Sequence, residues 1–181
     1  MYSITNRSIQ SFPWRSCLLV FLVAVAVRAF FLLKLPQDVF VPNGNWELDA
    51  NAISLVETGR FADAYVIPTG PTAHLPPIPP LLEAAFYKVF GLTALAGVLA
   101  WVLRILMQSA IWALLPWIGE RTGLGWKVGL TAGLAGALFP QWMGHGEAPA
   151  ALLFGLLVVC LVRRWDSVGG SGSARRVEAS A

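Results

Sequence analysis

Charge is scarce in this chain. Asp, Glu, Lys and Arg make up 13% of its residues, about half the roughly 25% of a typical soluble domain. With 56% of residues hydrophobic, too few charged groups remain to coat an apolar core in water, and an ordinary soluble globule is excluded. Histidine is limited to His74 and His145, far apart and in no metal motif. Cysteine is limited to Cys17 and Cys160, each inside an apolar run where a thiol behaves as a small apolar group. Neither has a partner at ligand spacing, so neither a disulfide framework nor a structural zinc site is expected. No basic stripe is present, which leaves nucleic-acid binding without support.

Long apolar runs are what the chain does have, with 8 Trp and a mean hydropathy of +0.64. The pattern predicts an all-α integral membrane protein. After a polar segment at residues 1–16, residues 17–35 form a first span, long enough for a hydrocarbon core of about 30 Å. A cleaved signal peptide is disfavoured, because the run is long, carries Arg28 and lacks a small-x-small cleavage site. Residues 36–91 differ sharply in composition. They hold eight of the 12 prolines and six of the 10 acids, but also many Leu, Ile, Phe and Trp residues that a linker would lack. They predict a long loop outside the membrane with short surface helices. A second span at 92–118, a turn at 119–127 and a hairpin of two short spans at 128–162 follow, giving about four spans in all. Gly129, Ala132, Gly133 and Gly136 give the hairpin a small-residue face for close packing. The Gly- and Ser-rich tail at 163–181 predicts disorder.

Arg and Lys placement sets the orientation. With both termini cytoplasmic, Arg7, Arg15, Arg121, Lys127, Arg163 and Arg164 lie inside, and the long acidic loop faces the extracytoplasmic side of the cell membrane.

Within that loop, Leu48, Ala52, Leu55 and Val56 recur at helical spacing. This predicts an amphipathic helix on the membrane surface, with Glu47, Asn51, Ser54 and Glu57 on its wet face. Asp49 falls at the edge of the apolar arc beside Ile53 and Val56. A carboxylate there has a poor water shell and needs a partner or a chemical task. Capping the helix start is the plain alternative for Asp49 and Glu47. Downstream, the "PTGPTAHLPPIPP" segment predicts stiff, extended backbone at 75–79. It either holds His74 in a fixed place or simply braces two helices. Arg28, near the outer end of the first span, is expected to snorkel outward. Arg104 lies deeper, where a charge is costly and functional by default, unless residues 81–100 form a surface helix that lifts it to the interface. Glu147, beside His145, opens the last helix, where N-capping is its bland role.

The order of these features resembles the N-terminal part of the GT-C glycosyltransferases, polytopic enzymes of the protein-mannosyltransferase and aminoarabinose-transferase type. The matching stretches are "VRAFFLL", "DANAISLVETGRFADAY", "PTGPTAHLPPIPPLLEAAFYKVFG", "GERTG" and "ALFPQWMGHGEAPAALLFGLL", over roughly residues 17–164. The resemblance implies transfer of a sugar from a polyprenyl-phosphate donor to an extracytoplasmic acceptor. It implies that Asp49, with Glu47 second, is the catalytic or metal-assisting carboxylate, and that a divalent metal is compatible with the site. The donor phosphate would be met by His74, Arg60 or Arg28, and Glu147 would be a further substrate contact. Such enzymes have many more spans, so the resemblance also implies a partial or split enzyme, or a chain completed by a larger membrane partner. The alternatives are a non-catalytic protein that binds a lipid carrier or partner bundle, and a pore subunit, for which only Arg104 lies deep enough.

Overall fold

The computed structural model describes residues 13–65, 67–73, 75–139 and 147–178, with side chains for all of these except 147 and 165–178. Among the described residues the regular structure is helix, with turns and loops between and one isolated β-bridge between Ala62 and Pro71. The elements are α1 (Trp14–Leu32), a 3-10 turn η1 (Gln37–Phe40), α2 (Glu47–Thr58), α3 (Ile78–Phe90), α4 (Ala94–Ala113), α5 (Leu115–Arg121), α6 (Trp126–Leu138) and α7 (Glu147–Glu178).

Two stretches are long and apolar enough to cross a membrane: α1, and α4 continued through α5 over 94–121. Only 17% and 11% of their apolar windows are buried inside the fold. A soluble core helix would be covered, whereas these turn Leu18, Leu22 and Phe30 of α1 and Val102 and Leu106 of α4 outward. α1 nonetheless belongs to the core, because Val20 and Ala24 pack with Ala137 and are fully buried.

Close backbone approach organises the bundle. Arg28 of α1 reaches Gln108 of α4 and the end of α6, while Val20, further back on α1, lies against Gly133 and Trp112. α1 and α6 therefore run parallel, with α4 antiparallel to both. The small-residue face of α6 makes this possible. A Cβ on Gly129 would fall 2.2 Å from the Leu115 carbonyl oxygen, and one on Gly136 would fall 2.2 Å from the Trp112 ring. Ala132 is exposed and takes no part. Pro116 supplies no N–H, so the α4–α5 ladder breaks at Leu114.

Several expectations are corrected. Arg28 does not snorkel: it is 7% exposed and turned inward. Its Nε donates to Gln108 Oε1 at 3.3 Å, and Nη1 donates to Ala24 O and Ala137 O at 3.2 Å each. The carbonyls in the last turn of α6 have no helical partner, and a cation is the group that satisfies them best. Arg28→Ala is therefore expected to lower stability by about 3 kcal/mol, the scale of one or two charge-assisted hydrogen bonds. Arg28→Lys should recover less than half, because a point charge cannot span α4 and α6 as a guanidinium fork does. Thermal unfolding in detergent measures both, and an unchanged Arg28→Ala midpoint would overturn the clamp.

The wet face of α2 is also corrected. Asn51 and Ser54 are buried rather than exposed. α2 packs on α3, and Ser54 Oγ donates to Arg60 O at 3.2 Å where the chain turns back. Small polar side chains that close local backbone bonds can be buried in this way. Residues 75–79 are not extended throughout either. Pro77 has helical dihedrals, and Pro79 and Pro80 form the first turn of α3, where a missing N–H costs nothing. The backbone of α7 continues as helix to Glu178, past the point where composition predicts disorder. A helix already nucleated propagates cheaply.

Candidate functional site

α2 begins after a tight loop in which Gly44 takes φ +72°, a left-handed conformation that glycine adopts without a Cβ clash. Asp49 is the third residue of α2 and carries the loop on its carboxylate. Its Oδ2 accepts the backbone N–H groups of Asn43 at 2.8 Å and Gly44 at 2.6 Å. Its Oδ1 accepts the Tyr87 hydroxyl from α3 at 2.7 Å. The Tyr87 oxygen is also 3.5 Å from Oε2 of Glu83, one turn earlier on α3. A phenol has a single proton, and Asp49 is the nearer acceptor. The other oxygen of Glu83 pairs with Arg104 of α4, whose guanidinium lies 5.1 Å from the Trp101 ring centroid. One polar chain thus links three helices in the order Asp49, Tyr87, Glu83, Arg104.

The chain borders a cleft lined by Phe40, Trp46, Asp49, Tyr87, Trp101 and Arg104, among others, with η1 and residues 41–46 as one wall. Gly97 lets that wall come close, since a Cβ there would fall 1.9 Å from the Phe40 carbonyl oxygen. The cavity measures about 40 Å³, room for about three waters and not for a sugar ring. Each oxygen of Asp49 has two lone pairs. Both on Oδ2 are used and one on Oδ1 is used, so the carboxylate keeps one acceptor position. A smaller apolar cavity lies against the same ion pair, between Leu82, Phe86, Leu103, Met107 and Pro149.

Tyr87 is 4% exposed. Burial first, and then its hydrogen bond to Asp49, raise its pKa well above the ordinary phenol value. In the unfolded chain the phenol ionises near pH 10. Its contribution to stability is therefore complete below about pH 10 and is lost as pH rises beyond it, because the folded state holds a proton that the unfolded state releases. The unfolding midpoint of the wild type should fall more steeply above about pH 10 than that of Tyr87→Phe. Parallel alkaline slopes would remove this role.

Of the residues singled out from sequence, Asp49 and Arg104 line the cleft. Glu47, two residues before Asp49, faces Tyr65 instead, and its negative charge raises the pKa of that exposed phenol. Arg60 is exposed just beyond the end of α2, with its backbone bonded to Thr58 and Ser54. Arg28 is bound within the bundle. His74, His145 and the Glu147 side chain lie outside the described residues. Glu83, Tyr87 and Trp101 were missed, although a signal existed: Glu83 and Tyr87 are four apart, on one helical face, and a deep Arg104 needs an acid. Among the described residues, no group of three or more His, Cys, Asp or Glu side chains could hold a metal ion. Comparison with protein-family models, curated proteins and solved structures finds no match to this chain.

Proposed function

We propose that this chain is a membrane glycosyltransferase, or the catalytic-loop portion of one, that moves a sugar from a polyprenyl-phosphate donor to an acceptor on the extracytoplasmic side. The observation that carries the reading is the single open carboxylate position on Asp49, set in an aromatic-walled cleft beside Arg104. In this reading α1, α4–α5, α6 and α7 are the spans, both termini are cytoplasmic, and residues 33–93 form the outer face. Arg104 then stands near the interface. It lies one turn before Gln108, which Arg28 holds four residues from the end of the antiparallel α1.

Asp49 Oδ1 would take the proton of the acceptor hydroxyl. The acceptor oxygen bonds the anomeric carbon as the carbon–oxygen bond to phosphate breaks, and the leaving electrons go to the phosphate. Arg104 is the cation that the cleft offers to that phosphate, and Trp46 and Trp101 are apolar platforms for a sugar face. Admitting a sugar ring requires one wall to move, and in this reading that wall is the loop hung on Asp49. Membranes carrying the chain should transfer label from radiolabelled polyprenyl-phosphate sugars, and Asp49→Asn should not. Equal transfer by both would end the catalytic assignment.

The second reading is a non-catalytic binder of a lipid carrier or of a larger membrane partner. The cavity of about 40 Å³ favours it, as does the use of Asp49 as a loop latch. Carrier bound without transfer by the wild type would select it.

A further inference from the structure

The opposite end of the bundle has a different chemistry. The start of α1, the end of α5, the start of α6 and the middle of α7 meet there, because α1 and α6 run parallel while α4–α5 and α7 run the other way. Along α7, Pro149 lies by Arg104, Gly155 by Leu114 and Arg163 by Trp117. Four cations at this end stand over tryptophans. Arg15 is 5.4 Å from the Trp14 ring centroid, and Lys127 is 5.9 Å from that of Trp126. Trp117 takes two guanidinium groups, Arg121 from α5 at 5.7 Å and Arg163 from α7 at 5.9 Å. Trp117 is 3% exposed, so its ring is a fixed platform. Arg121 and Arg163 are exposed residues. Glu120 is the acid with a described side chain at this end, and its Oε2 accepts the Trp126 backbone N–H at 2.9 Å.

We propose that Arg121 and Arg163, steered by Trp117, form a seat for the headgroup of an anionic phospholipid. Two planar forks from different helices fit phosphate oxygens bidentately. The exposed Trp14 and Trp126 lie at the level where indoles settle at a membrane interface. Charge complementarity selects the occupant, because this cluster of cations from adjacent helices sits at the headgroup layer in the bilayer reading, where anionic lipid is the abundant anion. The seat rests on the reading that the chain spans a bilayer. It does not depend on sugar transfer.

The test uses the full chain in detergent. Phosphatidylglycerol, phosphatidylcholine and inorganic phosphate are added separately, and thermal unfolding is followed. At saturating phosphatidylglycerol the midpoint should rise by about 5–10 °C. Phosphatidylcholine and inorganic phosphate should produce little of that rise. Arg121→Gln/Arg163→Gln should unfold in phosphatidylcholine as the wild type does and lose the phosphatidylglycerol shift. Arg163→Lys, which keeps the charge but not the fork, should keep less than half of it. An equal rise with phosphatidylcholine, or a shift undiminished in the double variant, overturns the seat. An equal rise with inorganic phosphate shows a free-anion site instead. Failure of the wild type to float with vesicles of either lipid overturns the bilayer reading itself.

Discussion

Asp49→Asn is expected to lower sugar transfer by about 10²–10⁴-fold, the usual contribution of a positioned general base. The substitution is nearly isosteric. The Asn oxygen can still accept the N–H groups of Asn43 and Gly44, which Oδ2 of Asp49 holds at 2.8 and 2.6 Å. Its amide nitrogen then faces the Tyr87 hydroxyl, and the phenol turns its proton toward Glu83 Oε2, already 3.5 Å away. The loop stays latched while the proton acceptor is lost. Asp49→Ala removes both, so it should melt at a lower temperature than Asp49→Asn while showing the same background transfer. Stability and activity thus separate across the pair. If Asp49→Asn keeps wild-type transfer, Asp49 is a latch and nothing more.

The same residue shows how far sequence reasoning reaches. The position of Asp49 at the edge of an apolar arc correctly implied a need for partners, because that follows from helix geometry alone. Its partners were not legible. Tyr87 is 38 positions away, and only the stacking of α2 on α3, and of α3 on α4, brings these groups together. Arg28 illustrates the converse error. A snorkelling arginine is the correct default for an isolated span, but α6 ends beside it with unsatisfied carbonyls, and its length is not visible from residue 28. The glycines of α6 were legible because close packing leaves a spacing pattern. The burial of Asn51 and Ser54 was not, since it depends on the return of the chain at Arg60.

Arg104 was marked from sequence as a charge too costly to leave alone, and its partner now gives the second large effect. Glu83 is 3% exposed and the Arg104 side chain 15%, so neither charge has water enough to stand unpaired. Glu83→Gln and Arg104→Met should each cost about 3–5 kcal/mol, because each leaves a buried charge without compensation. Glu83→Leu/Arg104→Met should return close to wild-type stability, since removing both charges also removes their desolvation penalty. The two single losses should therefore be far from additive. In the same double variant the cleft loses its cation and Tyr87 loses its second acceptor, while Asp49 keeps its latch. Transfer should fall even though folding recovers, which separates a cation that serves the ligand from one that merely serves the fold. A double variant that melts like the worse single variant would show that α3 and α4 need the pair itself, and one that transfers sugar at the wild-type rate would remove Arg104 from the site.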